Sequence, residues 1–263
     1  VSPKGMLVRE LMRRKSRWLK KLWVALIERR TLERAAGIQV TSRQELEEFK
    51  SFGFRAAEPF LVPHGLDLPE GRPRPGPPDP PPGRRARIAF LGRISWEKGL
   101  DRLIPALRHI PNVELVLAGN DEADWTARLS ELARSQGLLN RVRFAGPVRG
   151  EAKREFLAGA ALLVLPSHSE NFGMAALEAM AAARPVVLSP EVGLADIVEQ
   201  TGSGIVVDGA PDRLGPAIDR LLRDPEQLRA KGENGRRAVE QRLTWDRVAE
   251  EMLRRYREIV RAS

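Results

Sequence analysis

From Arg87 onward, short apolar runs alternate with segments of helical length, and this alternation constrains the fold more than any other feature of the chain. "RIAFLG" (87–92), "VELVLAG" (113–119), "VRFAG" (142–146), "ALLVLP" (161–166), "PVVLS" (185–189) and "GIVVD" (204–208) read as six strands. Helices are expected between them at 100–109, 123–136, 151–157, 174–182 and 195–199. Strands alternating with helices at this spacing argue for βαβ units and a parallel sheet covered on both faces. The expected fold class is therefore α/β, with a doubly wound Rossmann-like domain over 87–242. Its ligand crevice would lie beyond the carboxyl ends of the strands.

Upstream, 18–36 reads as a helix, "GIQVTS" as a strand, 43–50 as a helix and "PFLVPHG" as another strand. That is about two β/α units, too few for an independent sheet. The chain opens on Val rather than Met, and residues 1–66 are expected to be the tail of a second domain that begins outside this sequence. "PEGRPRPGPPDPPPGRR" is proline-rich; proline cannot donate ladder hydrogen bonds and favours extended backbone, which places a linker at 67–86. Helices are expected at 213–223, 225–242 and 245–259, the last in a C-terminal segment of 243–263 with Thr244 as its N-cap.

The charge is unevenly placed. Residues 1–34 hold eleven Lys and Arg against three Glu, so this stretch carries +8 of the net +9 and the main body is close to neutral. Within it, Trp18, Leu19, Leu22, Trp23, Leu26 and Ile27 recur at helical spacing. A helix packed in the N-terminal domain is the simpler reading, because a strand follows directly. The alternative is an interfacial helix over residues 9–30 on an anionic membrane surface. The patch lacks a recognisable nucleic-acid module, so nucleic acid is not an expected partner. No apolar run reaches the roughly 18–20 residues of a membrane span, and the chain has no cysteine and hence no thiolate nucleophile or metal ligand. A cytoplasmic location follows as the expectation, with peripheral association at the inner face of the membrane as its extension.

Several common chemistries lack their signatures. No G-x-G-x-x-G follows the strand at 87–91, "GRISWEKG" is not a G-x-x-x-x-G-K-[ST] loop, and "PSHSE" is not a G-x-S-x-G elbow. The three histidines are scattered, leaving no evident zinc site. "NDEAD" (120–124) could hold Mg²⁺, but acids after a strand end more commonly open a helix, and no metal is expected.

Two stretches remain. In "GRISWEKG", Gly92, Arg93 and Lys98 lie at the end of the first strand, where Arg supplies a bidentate fork and Lys a mobile charge for a diphosphate. The competing reading is an exposed basic loop. In "SHSENFGMAALEAM" (167–180), Gly173 allows close approach to the backbone, and the free N–H groups of a helix start favour an anion or hydroxyl oxygens. Glu170 would accept hydrogen bonds from hydroxyls, unless Ser167-x-x-Glu170 is simply a capping box. Glu178 would lie about 12 Å further on if the span were helical throughout, and could accept from a diol such as ribose. Its competing reading is a solvated helix face. Alanines surround it, however, so the helix is expected to be buried and the acid to need a partner.

"GRISWEKG", "SENFGMAALEAMA" and "RPVVLS", in that order, resemble the retaining glycosyltransferases of family four, part of the group 1 glycosyltransferases, which have the GT-B fold of two Rossmann-like domains. The Glu-x7-Glu signature, Glu170 to Glu178 around Phe172-Gly173, is the most specific element of the match. "VPHGLD" (62–67) resembles the family's interdomain crossover, "TWDRVAEEMLRRYREI" its C-terminal helix, and "SPKGML" a segment late in its N-terminal domain. The resemblance implies that Arg93 and Lys98 bind the diphosphate of a UDP-, GDP- or ADP-sugar and stabilise the leaving nucleotide. It implies that Glu170 holds the sugar hydroxyls beside the backbone of Asn171, Phe172, Gly173 and Met174. Glu178 would hold the ribose, and the loop at Gly146–Val148 would sit near the base. It implies no cofactor and no metal, with a saccharide or lipid-linked acceptor as second substrate and retention without an enzyme nucleophile. A sugar-nucleotide epimerase of the same architecture, or a truncated, non-catalytic nucleotide-sugar-binding module, are the alternatives. Ala183 stands where the family usually has Gly, and Val192-Gly193 and Asp196 stand where many members have Gly-Gly and Glu. On domain size the absent N-terminal part amounts to roughly 100 residues or more, so this chain is expected to bind donor and turn over poorly.

Overall fold

The computed structural model describes residues 1–2, 29–68, 71 and 85–262. The expected basic helix at 18–36 falls outside these except for its last residues, as does most of the proline-rich linker. The chain divides into two compact units, Leu68–Gln241 on one hand and Val1–Asp67 with Arg242–Ser263 on the other.

In the smaller unit, α1 (Arg29–Glu33) precedes β1 (Ile38–Val40), α2 (Arg43–Ser51) and β2 (Pro59–Leu61). β1 and β2 pair in parallel, with Ile38 opposite Pro59 and Val40 opposite Leu61. Leu32, Ile38 and Phe49 form its core, packed by Phe52 and Phe54. The start of α2 is locally determined. Ser42 Oγ accepts the Glu45 N–H at 3.1 Å, while the buried Glu45 carboxylate accepts the Thr41 N–H at 2.7 Å and its hydroxyl at 2.8 Å. The C-terminal helix of this unit, Trp245–Ala262, begins one residue after Thr244, whose hydroxyl accepts the Arg247 N–H at 3.4 Å.

The larger unit holds a six-stranded sheet: β3 (Ala86–Leu91), β4 (Val113–Ala118), β5 (Val142–Gly146), β6 (Leu162–Leu165), β7 (Val186–Leu188) and β8 (Gly204–Val206). Every pair is parallel and the order is β5-β4-β3-β6-β7-β8. The central strands β6 and β7 are buried at every position. Their continuous apolar runs reflect a sheet covered on both faces. At the edge, β5 tolerates the exposed Arg143. Chain order reverses between β3 and β6, which makes that boundary the topological switch point of a Rossmann-like sheet. The crossovers are α3 (Leu100–Ala106), α4 (Trp125–Ser135), α5 (Gly150–Ala158), α6 (Met174–Ala181) and α7 (Ala195–Thr201), followed by α8 (Pro211–Leu222) and α9 (Pro225–Arg242).

Ala183 adopts the left-handed conformation, φ 54°, that the family usually gives to glycine. The helix end is a full Schellman motif: Arg184 N–H reaches Ala179 O and Ala183 N–H reaches Met180 O, both at 2.9 Å. The left-handed methyl costs about 1 kcal/mol. Ala183 is 3% exposed, and burying one methyl stabilises by about 0.8 kcal/mol, so the two effects nearly cancel. Ala183→Gly is therefore expected to leave the melting temperature within about 2 °C. A rise of more than about 4 °C in calorimetry would show that the methyl contributes nothing.

Candidate functional site at the sheet switch point

The loops that leave β3 and β6 emerge side by side at the switch point. The first runs from Gly92 to Gly99. Its middle is anchored to the loop after β4: Ile94 N–H donates to Asn120 O at 2.8 Å, and Ile94 O accepts the Glu122 N–H at 3.1 Å. A 3-10 turn, Trp96–Lys98, then brings the lysine round before α3 begins. Gly99 closes that turn at φ 63°, and a β-carbon on it would lie 2.0 Å from the Pro166 carbonyl oxygen. Only a residue without a side chain lets the two loops touch there.

The second loop is clamped from both sides. His168 N–H donates to Glu97 O at 2.8 Å, and the imidazole stacks on Trp96 with ring centroids 4.8 Å apart and planes within 6°. Arg102 contacts His168 Nδ1, and Asp101 Oδ1 lies 3.4 Å from Nε2. Further along, Glu170 N–H donates to Glu191 O at 3.0 Å and Glu170 O accepts the Gly193 N–H at 2.9 Å. The backbone of Glu170 is thus pinned on both sides to the loop after β7. α6 starts at Met174, with Gly173 at φ 100° as its N-cap and Val192 Cγ1 only 2.9 Å from where a β-carbon would stand.

Across this junction Lys98 Nζ and Glu170 Oε2 form an ion pair, with side chains 13% and 20% exposed. Both expected residues therefore meet, one from each loop. Glu170 precedes the N-cap by three residues, which excludes the capping box. Ser167 instead presents its carbonyl to the Ser189 hydroxyl at 2.7 Å. The same boundary corrects the 12 Å spacing between the glutamates, because only Met174 onward is helical. Glu178 is neither a bare solvated acid nor unpartnered. Lys153 on α5 bonds Glu178 Oε1 at 2.7 Å, and both side chains are about one-third exposed or less.

Other expected residues are placed differently. Arg93 is 61% exposed and turned to Glu122 at 2.9 Å. Phe172 is buried, and Met174 lies on the exposed side of the helix start. Asn171 and Val148 are half-buried, Val148 in the loop that leads from β5 into α5. Burial alone would raise the Glu97 carboxyl. The adjacent Ser95 hydroxyl and the local backbone N–H, with the Arg93 and Lys98 cations, outweigh burial and hold the carboxyl below the usual carboxylate range. Two of the three acids of 120–124 have structural occupations: Asp121 Oδ1 accepts the Thr126 N–H at 3.1 Å and Glu122 pairs with Arg93. Among the described residues no group of three or more His, Asp or Glu could hold a metal ion.

Sequence reasoning missed Lys153, Trp96 and His168. Lys153 was hidden among 44 lysines and arginines, although its helix opens directly after a strand's carboxyl end. His168 was set aside as isolated because its partners lie some 66 residues upstream.

The family model for glycosyl transferases group 1 matches residues 78–238, more than half of the chain. The chain belongs to the group 1 glycosyltransferases. This glycosyltransferase is 35% identical over 174 residues to an uncharacterised glycosyltransferase of Methanocaldococcus jannaschii, covering 65% of this chain and 44% of that one. It is 33% identical over 229 residues to a D-inositol 3-phosphate glycosyltransferase of Xylanimonas cellulosilytica, covering 81% and 54%. The chain thus spans about half the length of the curated relatives it matches. Among solved structures, sucrose-phosphate synthase from Thermosynechococcus elongatus is similar over 100% of this chain and 68% of its own, with a TM-score of 0.84 and 28% identity. Anabaena HepE in complex with UDP and glucose matches over 97% and 70%, with a TM-score of 0.80 and 20% identity, a likeness of fold. The fold of this glycosyltransferase is α/β and GT-B-type. No helix of the described residues is long and apolar enough to cross a membrane. Of the segment expected to meet an anionic surface, 9–30, only Arg29 and Arg30 are described, and Arg29 pairs with Glu33 at 2.9 Å.

Proposed function

We propose that the switch point binds a nucleotide-diphosphate sugar, for a retaining hexosyltransferase of family four that needs no metal ion. The observation that carries this reading is the Lys98–Glu170 pair, a cation and a hydroxyl acceptor joined where a doubly wound sheet receives its ligand. The pair need not break on binding. An ammonium has three N–H donors and a carboxylate about four acceptor sites, so one bond between them leaves both free to bind. A diphosphate beside Lys98 and a sugar beside Glu170 would then sit on adjacent sides of one ion pair, with the bond to be cleaved between them. The UDP bound in the HepE structure supports a nucleotide-sugar donor.

In this reading Lys98 and Arg93 stabilise the departing diphosphate, the role that preorganised charge plays wherever negative charge develops. Arg93 would exchange Glu122 for phosphate. Gly92 and the backbone at Asn171, Phe172, Gly173 and Met174 would line the donor, Glu178 the ribose, and Val148 the base. Glu170 is engaged by Lys98 and pinned at its backbone, which suits a hydroxyl acceptor better than a nucleophile. The two-carboxylate scheme of glycoside hydrolysis is therefore not assigned to Glu170 and Glu178. For the whole protein we propose transfer to a saccharide or lipid-linked acceptor in cell-envelope or polysaccharide assembly, at the cytoplasmic side of a membrane.

A thermal-shift series with UDP-, GDP- and ADP-sugars tests donor binding. At about 100 times the dissociation constant, one of them is expected to raise the melting temperature by several degrees, equally with and without EDTA. No shift with any of the three would remove the reading. Loss of the shift in EDTA would remove metal independence, and a transfer product of inverted anomeric configuration by NMR would remove retention.

A further inference from the structure

We propose that Lys153 is a positioning residue for the nucleotide ribose, holding one oxygen of Glu178 so that the other faces the sugar's vicinal diol; this rests on the donor reading of the site. Glu178 sits on a helix whose neighbours Ala176, Leu177, Ala179, Met180 and Ala181 are all buried. A carboxylate beside apolar neighbours needs a polar partner, and Lys153 Nζ at 2.7 Å from Oε1 is that partner. The Glu178 side chain is 27% exposed, which leaves room for a ligand at its remaining acceptor sites. A ribose offers two adjacent hydroxyl donors, the match for an acceptor-only group with one oxygen already committed.

The two helices reach each other because of the topology. β5 to β6 and β6 to β7 are crossovers running in the same direction across the sheet, and right-handed connections then place α5 and α6 on one face. Three residues separate β5 from α5, so the end of the helix's first turn carries Lys153 just behind the Val148 loop proposed for the base. Lys153 thereby couples the loop near the base to the carboxylate proposed for the ribose. Without the ammonium, the Glu178 side chain loses its fixed rotamer and its charge compensation together.

The test compares UDP, GDP and ADP with their 2′,3′-dideoxy counterparts by calorimetry on the whole chain. For the nucleotide that binds, the natural form is expected to bind about 10-fold or more tighter than the dideoxy form. Lys153→Met should reduce that preference about three- to ten-fold while leaving dideoxy affinity within about two-fold, and Lys153→Arg should restore it. A residue that merely supports the fold would weaken both ligands together, and that outcome overturns the inference. Loss of the preference in Glu178→Gln with its full retention in Lys153→Met overturns the role of Lys153 alone. Retention in Glu178→Gln, or no binding of any nucleotide to the unaltered chain, overturns the ribose reading beneath it.

Discussion

Lys98→Ala is expected to weaken nucleoside diphosphate binding about 100-fold or more, measured by calorimetry with UDP, GDP and ADP. Removing one member of a partly desolvated charge pair costs about 3 kcal/mol or more in binding, because the other charge is left without compensation. Here the effect has two sources. The diphosphate loses its most buried cation, and the Glu170 carboxylate, 20% exposed, is left unneutralised beside the incoming phosphates. Stability should also fall, by about 1 kcal/mol, or some 2–4 °C. Arg93→Ala should cost much less, about 10-fold, because its guanidinium is 61% exposed and screened. Lys98→Arg should recover only part of the loss, because a planar fork does not replace a compact ammonium between two acceptors. Unchanged affinity in a folded Lys98→Ala protein would remove the assignment of the switch point as the donor site.

Gly99→Ala should lower stability by about 3–4 kcal/mol, a fall of about 10 °C in melting temperature. Two costs add. At φ 63° an alanine is strained by about 1 kcal/mol, and its β-carbon would stand 2.0 Å from the Pro166 oxygen and 2.9 Å from the Pro166 carbonyl carbon. Neither atom can swing aside, since both are backbone at the end of a fully buried central strand. Gly137→Ala separates the contributions: that glycine has φ 69° with nothing within 4 Å, so only the backbone strain remains. Relief of the clash would push the loop after β3 away from the loop after β6, parting Lys98 from Glu170. Gly99→Ala should therefore lose donor affinity as well as stability, whereas Gly137→Ala should lose about 1 kcal/mol of stability and no affinity. Equal melting temperatures for the two variants would show that the loops can separate without cost.

The expected strands and helices were legible because their signals are local. A buried parallel strand must be apolar at every position, so "ALLVLP" and "PVVLS" announce β6 and β7 without reference to anything else. Helix ends were less legible. The expected start at 123 moved to Trp125, because Ala123 and Asp124 take left-handed backbone and Asp121 provides the capping oxygen instead. The capping box at Ser167–Glu170 was equally allowed by spacing, and it failed because a glycine left-handed turn intervenes before the helix.

By itself the sequence determined the fold class, the loops that bear the candidate site and the types of side chain on them, because each depends on periodicity or on residues adjacent in the chain. Tertiary structure alone decided the partners. Lys98 meets Glu170 across 72 residues, Lys153 meets Glu178 across 25, and Arg93 turns to Glu122 instead of joining either pair. The strand order sets those distances, bringing β3 beside β6 and leaving β5 at the edge. An ion pair depends on separation in space, and separation in space is fixed only once the sheet has assembled.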